Sequence, residues 1–196
     1  MDFSLEIWYN CIVSKFTLVC SMKSNYLVEI DEPRIQETCD AYFKWKDLNT
    51  YIKSLVSRGI NMPDAISEPM GCYCLDLLWN KRSGGDAQTR DGKKVEFKAT
   101  SNYDGDLSSF GPRCEFDDLV FLRFNLDTNM LYVYDTGINS DQLKQIEISS
   151  RGTVEAYQKQ GKRPHFSIIE KIIDDLEIEP TVIFNIRRGI IEKKNN

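Results

Sequence analysis

The sequence has a single histidine, His165, and no pair of Cys-x-x-Cys knuckles. That removes the usual zinc spacings, in which two cysteine pairs, or cysteines with two histidines, close a tetrahedral site. The six cysteines (Cys11, Cys20, Cys39, Cys72, Cys74, Cys114) are scattered apart from Cys72 and Cys74, and read as free, mostly buried thiols in a reducing cytoplasm. Also missing is any run approaching the roughly 20 apolar residues of a membrane-spanning helix. The opening stretch Phe3 to Cys20 is moderately apolar, but Glu6, Asn10, Ser14 and Lys15 interrupt it and no basic segment precedes it. It fits a secretory signal poorly. Residues 1–21 are set apart as a leader that is either native or not, because Met22 opens a more ordinary start; residues 22–196 read as a single domain. Internal repeats and low-complexity segments are absent.

Positive charge is in short supply too. The net charge is −5, which at first counts against a nucleic-acid partner. Distribution matters more than the sum. Acid gathers at Asp31-Glu32, Asp117-Asp118 and Asp174-Asp175, and base at Lys81-Arg82, Lys93-Lys94, Lys159 to Arg163 and Arg187-Arg188. An enzyme that must leave its polymer after cutting needs only a local basic surface. What the chain does have is the composition of a globular fold, 41% hydrophobic and 28% charged.

Asp31-Glu32-Pro33 is a capping acid followed by proline in a first turn. Ile35, Cys39, Tyr42, Phe43, Leu48, Tyr51, Ile52 and Leu55 then recur at spacings of three and four, predicting an amphipathic helix that Gly59 ends. A second helix is predicted over Pro63 to Trp79, with Ile66, Met70, Cys74 and Leu77 along one side, broken by Ser83-Gly84-Gly85. The period then changes. Val95, Phe97 and Ala99 alternate with Glu96, Lys98 and Thr100, a half-buried strand, and the Asp91-Gly92 hairpin signal stands just before it. Strands are predicted at Leu119 to Phe124 and Leu131 to Tyr134 with a turn at Asp127 to Asn129, and at Thr181 to Ile186. Helices are predicted at Thr153 to Gln160 and Ser167 to Leu176. Helices around a central, hairpin-containing mixed sheet make the fold class α/β or α+β.

The chemistry concentrates between Gly85 and Lys98. If Asp86 adjoins the strand before the Asp91-Gly92 turn, it comes beside Glu96 across the hairpin. Alternation puts Glu96 and Lys98 on one face and Val95, Phe97 and Ala99 on the other. Two carboxylates and an ammonium then share a polar strip. Hard oxygen ligands from Asp86 and Glu96 suit Mg²⁺, which takes few protein groups and keeps several waters. Such a cation polarises a phosphodiester and acidifies a water, and Lys98 would position that water and offset charge. The plain alternative is an exposed hairpin with solvated charges.

Asp86 with Glu96-Phe97-Lys98 resembles the catalytic motif of the PD-(D/E)XK nuclease superfamily, with Gly85-Asp86 in place of the proline-aspartate half. The wider stretch resembles small type II restriction endonucleases, in particular those that cut within GCNGC. It runs through Ile66 to Cys74, Ser83 to Asp86, Glu96 to Ser101, Ser109 to Pro112, Phe116 to Phe121 and Gln160 to Ser167. The resemblance implies a restriction-endonuclease-like fold and cleavage of double-stranded DNA. It also implies that Glu68 points into the metal site, where the alternative is an ordinary helix-start carboxylate. Lys162-Arg163-Pro164-His165 matches a basic loop suited to DNA contact.

Lys159, Lys162 and Arg163 surround a glycine and a proline, which places them on an exposed turn where phosphate contact is the default use. Arg113, Arg163, Arg187 and Arg188 are candidates for bidentate reading of guanine. Ser109 and Arg113 belong to a loop near the catalytic hairpin. Cutting both strands of a symmetric site is simplest for a homodimer. The competing expectations are a repair or recombination nuclease of the same superfamily and a DNA-binding module that does not cut.

Overall fold

The protein is described by a computed structural model covering residues 26–82, 84–150 and 152–195. The leader at 1–21 lies outside them. Helix α1 (Glu32–Leu55) opens as the sequence predicts: the Asp31 carboxylate accepts the Arg34 N–H and Pro33 sits in the first turn. Ile35, Cys39 and Tyr42 are buried as expected, but Leu48, Tyr51 and Leu55 are exposed. The buried face continues instead through Trp45 and Asn49. Asn49 Oδ1 accepts the Ile60 N–H, so a polar side chain occupies the inner position to fasten the following loop. Gly59 does not end the helix, which stops at Leu55 with Val56 extended. A Cβ on Gly59 would stand 2.1 Å from Asn49 Oδ1, so glycine is required there by close approach.

Helix α2 (Asp64–Leu75) buries Ile66, Met70 and Cys74, and Leu77 beyond it, as predicted, but ends short of Trp79. Asp76 turns left-handed (φ 56°), a conformation that aspartate tolerates better than most residues. The chain then reverses into strand β2 (Leu78–Asn80).

The main sheet has eight strands: β1 (Leu27–Val28), β2, β3 (Ala87–Gln88), β4 (Lys94–Thr100), β6 (Asp118–Asn125), β7 (Met130–Asp135), β11 (Val182–Asn185) and β12 (Ile190–Lys194), in that spatial order. β4 and β6 are parallel and the other pairs antiparallel, so the sheet is mixed, as expected. β6 is buried almost continuously because both its faces are covered. Val120, Leu122 and Phe124 pack with Tyr42 and Met70 under α1 and α2. Leu119 and Phe121 pack on the other side with Phe110, Phe166, Ile168 and Ile172. Short elements complete that side: β5 (Ser108–Ser109), α3 (Ser140–Lys144), β8 (Glu147–Ser149), β9 (Gly152–Thr153), α4 (Val154–Gln158) and β10 (His165–Phe166).

The helix expected over Ser167 to Leu176 is wound as a π-helix over Ile169–Asp174, and Leu176 is exposed. In β4, Val95 and Phe97 are buried as predicted, but Ala99 is exposed and Thr100 buried. The register with β6 is unbroken there, so Thr100 lies on the Glu96 and Lys98 face, buried with its hydroxyl donating to the Asn102 and Gly105 carbonyls. β12 carries no alternation in its sequence, all five residues being exposed; its charges suit a sheet edge. No helix among the described residues is long and apolar enough to cross a membrane. Cys39, Cys72 and Cys74 are buried free thiols, and Cys114 is a half-buried one.

Candidate active site

The hairpin of β3 and β4 sets Ala87 opposite Val95 and Gln88 opposite Lys94. Gly92 takes the positive φ (97°) that its turn needs, and Thr89 receives the Gly92 N–H on its carbonyl while donating its own N–H to Lys93. Before β3, Gly84 and Gly85 have φ of 117° and 106°, backbone that a side chain would strain. The Asn80 amide donates to the Gly85 carbonyl at 2.9 Å and holds this entry in place. The register delivers Asp86 beside β4. Its N–H donates to the Val95 carbonyl (3.1 Å), and its Oδ2 accepts the Phe97 N–H at 2.8 Å.

Two residues further along β4, the Lys98 ammonium donates to Glu96 Oε1 at 2.5 Å. This pair is well shielded, the two side chains being 22% and 15% exposed. Lys98 Nζ also lies 5.2 Å from the centre of the Phe110 ring. From α2, Glu68 Oε2 accepts the indole N–H of Trp79 at 2.8 Å. The structure therefore gathers Asp86, Glu96, Lys98 and Glu68 in one place.

The electrostatics follow from that crowding. Burial pushes the Glu68 carboxyl up to about 7; the Trp79 hydrogen bond opposes the rise, and Asp86, Asp64 and Glu96 add to it. Asp86 is raised to about 6, first by burial and then by Glu96, against the pull of the Phe97 N–H and Lys98. The carboxylates outnumber the single ammonium, and a positive charge at this spot would relieve them. Among the described residues no three His, Cys, Asp or Glu side chains are gathered closely enough to hold a metal by themselves. Two carboxylates completed by waters are what a small hard cation takes, and the donor set here, all carboxylate oxygen, matches that chemistry.

Two neighbours escaped the sequence reading. The Cys114 thiol hydrogen-bonds with Glu96 and is pushed up to about 11, by burial first and then by Glu96. Asp64, at the start of α2, bears on both Glu68 and Asp86. Neither carries a sequence signal beyond its residue type, because the proximity arises from the packing of separate segments.

The five residues expected to meet DNA fall on two segments that one ribbon joins. β10 pairs antiparallel with β5, so that His165 stands opposite Ser109 and Phe166 opposite Ser108. Lys162, Arg163 and His165 are exposed, as is Arg113. The Gln158 amide donates to the Gly111 carbonyl at 3.0 Å, tying α4 to the segment that bears Arg113. Below the ribbon, Phe110 stacks on Phe166 with ring centres 5.6 Å apart. Arg187 and Arg188 lie elsewhere, in the turn between β11 and β12 at the far edge of the sheet. Arg187 covers the Phe43 ring there and Arg188 pairs with Glu192. A cleft of about 750 Å³ runs beside the site, bounded by Arg58, Asp64, Lys98, Asn102 and Ser109 among others.

Comparison with known proteins identifies the family of the chain. The Bsp6I restriction endonuclease family matches residues 30–175. The type II restriction enzyme Bsp6I of Bacillus sp. (strain RFL6) is 45% identical over 167 residues, covering 85% of this chain and 96% of that enzyme. The matched span contains α1, α2, the β3–β4 hairpin and the β5–β10 ribbon. The chain thus belongs to the Bsp6I restriction endonuclease family: it is a type II restriction endonuclease, which cleaves DNA at a specific site.

Proposed function

We propose that Asp86, Glu96 and Lys98 form the catalytic centre of this endonuclease, in the manner of the PD-(D/E)XK superfamily, with residues 22–196 acting as one nuclease domain. Asp86 and Glu96 would hold Mg²⁺. The reading rests on one observation above all: the shielded Lys98–Glu96 pair lies beside a carboxylate, Asp86, that the β4 backbone itself holds in register. The Phe97 N–H engages Asp86 Oδ2 and the Lys98 ammonium engages Glu96 Oε1, and carboxylate oxygens of this pair suit a hard cation. When bound, Mg²⁺ supplies Lewis acidity to the scissile phosphate and to a water. Lys98 orients that water and offsets negative charge as it grows on the phosphate oxygens. Glu68 adds negative charge on the metal-facing side, its orientation set by Trp79.

Lys162, Arg163, His165, Ser109 and Arg113 supply the DNA contacts, the basic side chains to phosphates and one arginine to guanine. The target is a short GC-rich sequence of the GCNGC type in double-stranded DNA. Cleavage of both strands is the work of a homodimer in the cytoplasm, each subunit serving one strand. The direct test is incubation of the purified protein, and of Lys98→Ala, with unmethylated phage DNA and Mg²⁺. Discrete fragments from the wild type alone support the assignment, and sequencing their ends yields the site. A smear, or equal cutting by both proteins, overturns it.

A further inference from the structure

The Phe110 ring has no exposed surface, and its neighbours account for why. Phe166 stacks on it at 5.6 Å with the planes 21° apart, Phe116 lies 6.3 Å away, and the Lys98 ammonium stands 5.2 Å from its centre. The ammonium is therefore held from two directions, by Glu96 Oε1 at 2.5 Å and by an aromatic ring. A ring attracts a cation through its negative face, and the attraction grows when water is kept out. Lys98 meets that condition, with its side chain only 22% exposed. A lysine has four rotatable bonds, so an ammonium held by one flexible carboxylate alone would sweep a wide arc.

The ring is itself firmly placed. Phe110 directly follows β5, whose partner β10 carries Phe166 and His165. Asp106, just before β5, accepts the Ser108 and Ser167 hydroxyls at 2.7 Å and the Ile168 and Ile169 N–H groups at 3.0 Å. It caps the helix that follows β10 and so locks the two segments together. Through Phe110 this locked unit reaches the lysine.

We propose that Phe110 is a positioning residue for Lys98: its ring face keeps the ammonium aimed at the Asp86–Glu96 carboxylates, and the β5–β10 ribbon holds the ring. This rests on the catalytic role given to Lys98 above. The Phe110 side chain is wholly buried and so closed to DNA, and its contribution acts on the rate of cleavage and not on binding.

The test replaces Phe110 with ring-fluorinated phenylalanines of increasing fluorine content, which drain the ring's negative face while nearly keeping its size. Single-turnover cleavage is measured with Mg²⁺ at saturating enzyme, with DNA affinity and melting temperature followed alongside. The expected result is a graded fall in rate, roughly tenfold across the series, with affinity and melting temperature held. Phe110→Leu, which removes the ring face, should fall at least as far as the most fluorinated ring. An unchanged rate across a folded, DNA-binding series overturns the proposal and leaves Phe110 as packing alone. Lys98→Ala is run in parallel. If it cleaves like the wild type, the catalytic reading of Lys98 itself has failed; if it is inactive while fluorination does nothing, only the role of Phe110 has.

Discussion

Trp79 donates its indole N–H to Glu68 Oε2 at 2.8 Å, so a strand residue fixes the direction of a helix carboxylate. Glu68 and Asp86 both titrate above their ordinary range, at about 7 and about 6. From about pH 4 to 7 the folded chain therefore binds more protons at these groups than the unfolded one, and they reduce stability as pH rises through that window. Glu68→Gln keeps an oxygen for Trp79 and removes one of the two titrations. In chelator at pH 8 it should melt above the wild type, by about 2–4 °C for each kcal/mol recovered. The gap should close near pH 4. Thermal melts across that range decide the matter, and equal melting temperatures at pH 8 would contradict it.

Asp86→Asn separates fold from chemistry. The asparagine oxygen still accepts the Phe97 N–H, so the hairpin persists. Cleavage should fall by on the order of a thousandfold. The rise in melting temperature on adding Mg²⁺ should shrink sharply, because a ligand charge has gone. A variant that keeps the full Mg²⁺ stabilisation would remove Asp86 from the metal site.

Lys98→Met retains the apolar stem against Phe110 and deletes the charge. We expect a loss of about 10²–10⁴ in the single-turnover rate, with DNA affinity in chelator unchanged within about threefold, because the lysine is mostly shielded. Comparison of the two assays on one preparation tests this.

For the basic loop, Lys162→Ala should weaken binding to target and non-target duplexes alike and lower the slope of log affinity against log salt by about 1. If Arg163 reads a guanine, Arg163→Ala should cost about 1–3 kcal/mol at the target and far less elsewhere. Binding titrations at several salt concentrations distinguish the two roles.

Gly71→Ala probes the packing that supports the site. A Cβ there would lie 2.7 Å from Phe97 Cε1 and 3.2 Å from Leu122 Cδ1, both of them core side chains. Overpacking of this kind costs about 1–3 kcal/mol. The melting temperature should drop accordingly, and the displacement of Phe97 should slow cleavage even below the melt.

Much of the β3–β4 hairpin was legible in the sequence because its determinants are local. A turn dipeptide and period-two alternation fix the register, and the register puts Asp86 beside Glu96. The start of α1 was legible for the same reason. Its outer stripe was not: Leu48, Tyr51 and Leu55 look like core by residue type, while the inward place belongs to Asn49, whose task depends on Ile60 in a later loop. The end of α2 turned on a left-handed Asp76 that no glycine advertised. The approach of Cys114 to Glu96 and the pairing of β5 with β10 bring together residues far apart in the chain, and single-sequence periodicity carries no such information.

The parallel pairing of β4 with β6 has a wider consequence. Parallel neighbours cannot be joined by a tight turn, so the chain needs a long return path between Thr100 and Asp118. That detour carries Asp106, β5, Phe110, Arg113 and Cys114. The parallel register thus leaves a long connection anchored at both ends in the sheet and packed beside Glu96 and Lys98. One excursion of the chain supplies both the ring beside Lys98 and the exposed Arg113, so any shift of the strand ends is passed to both.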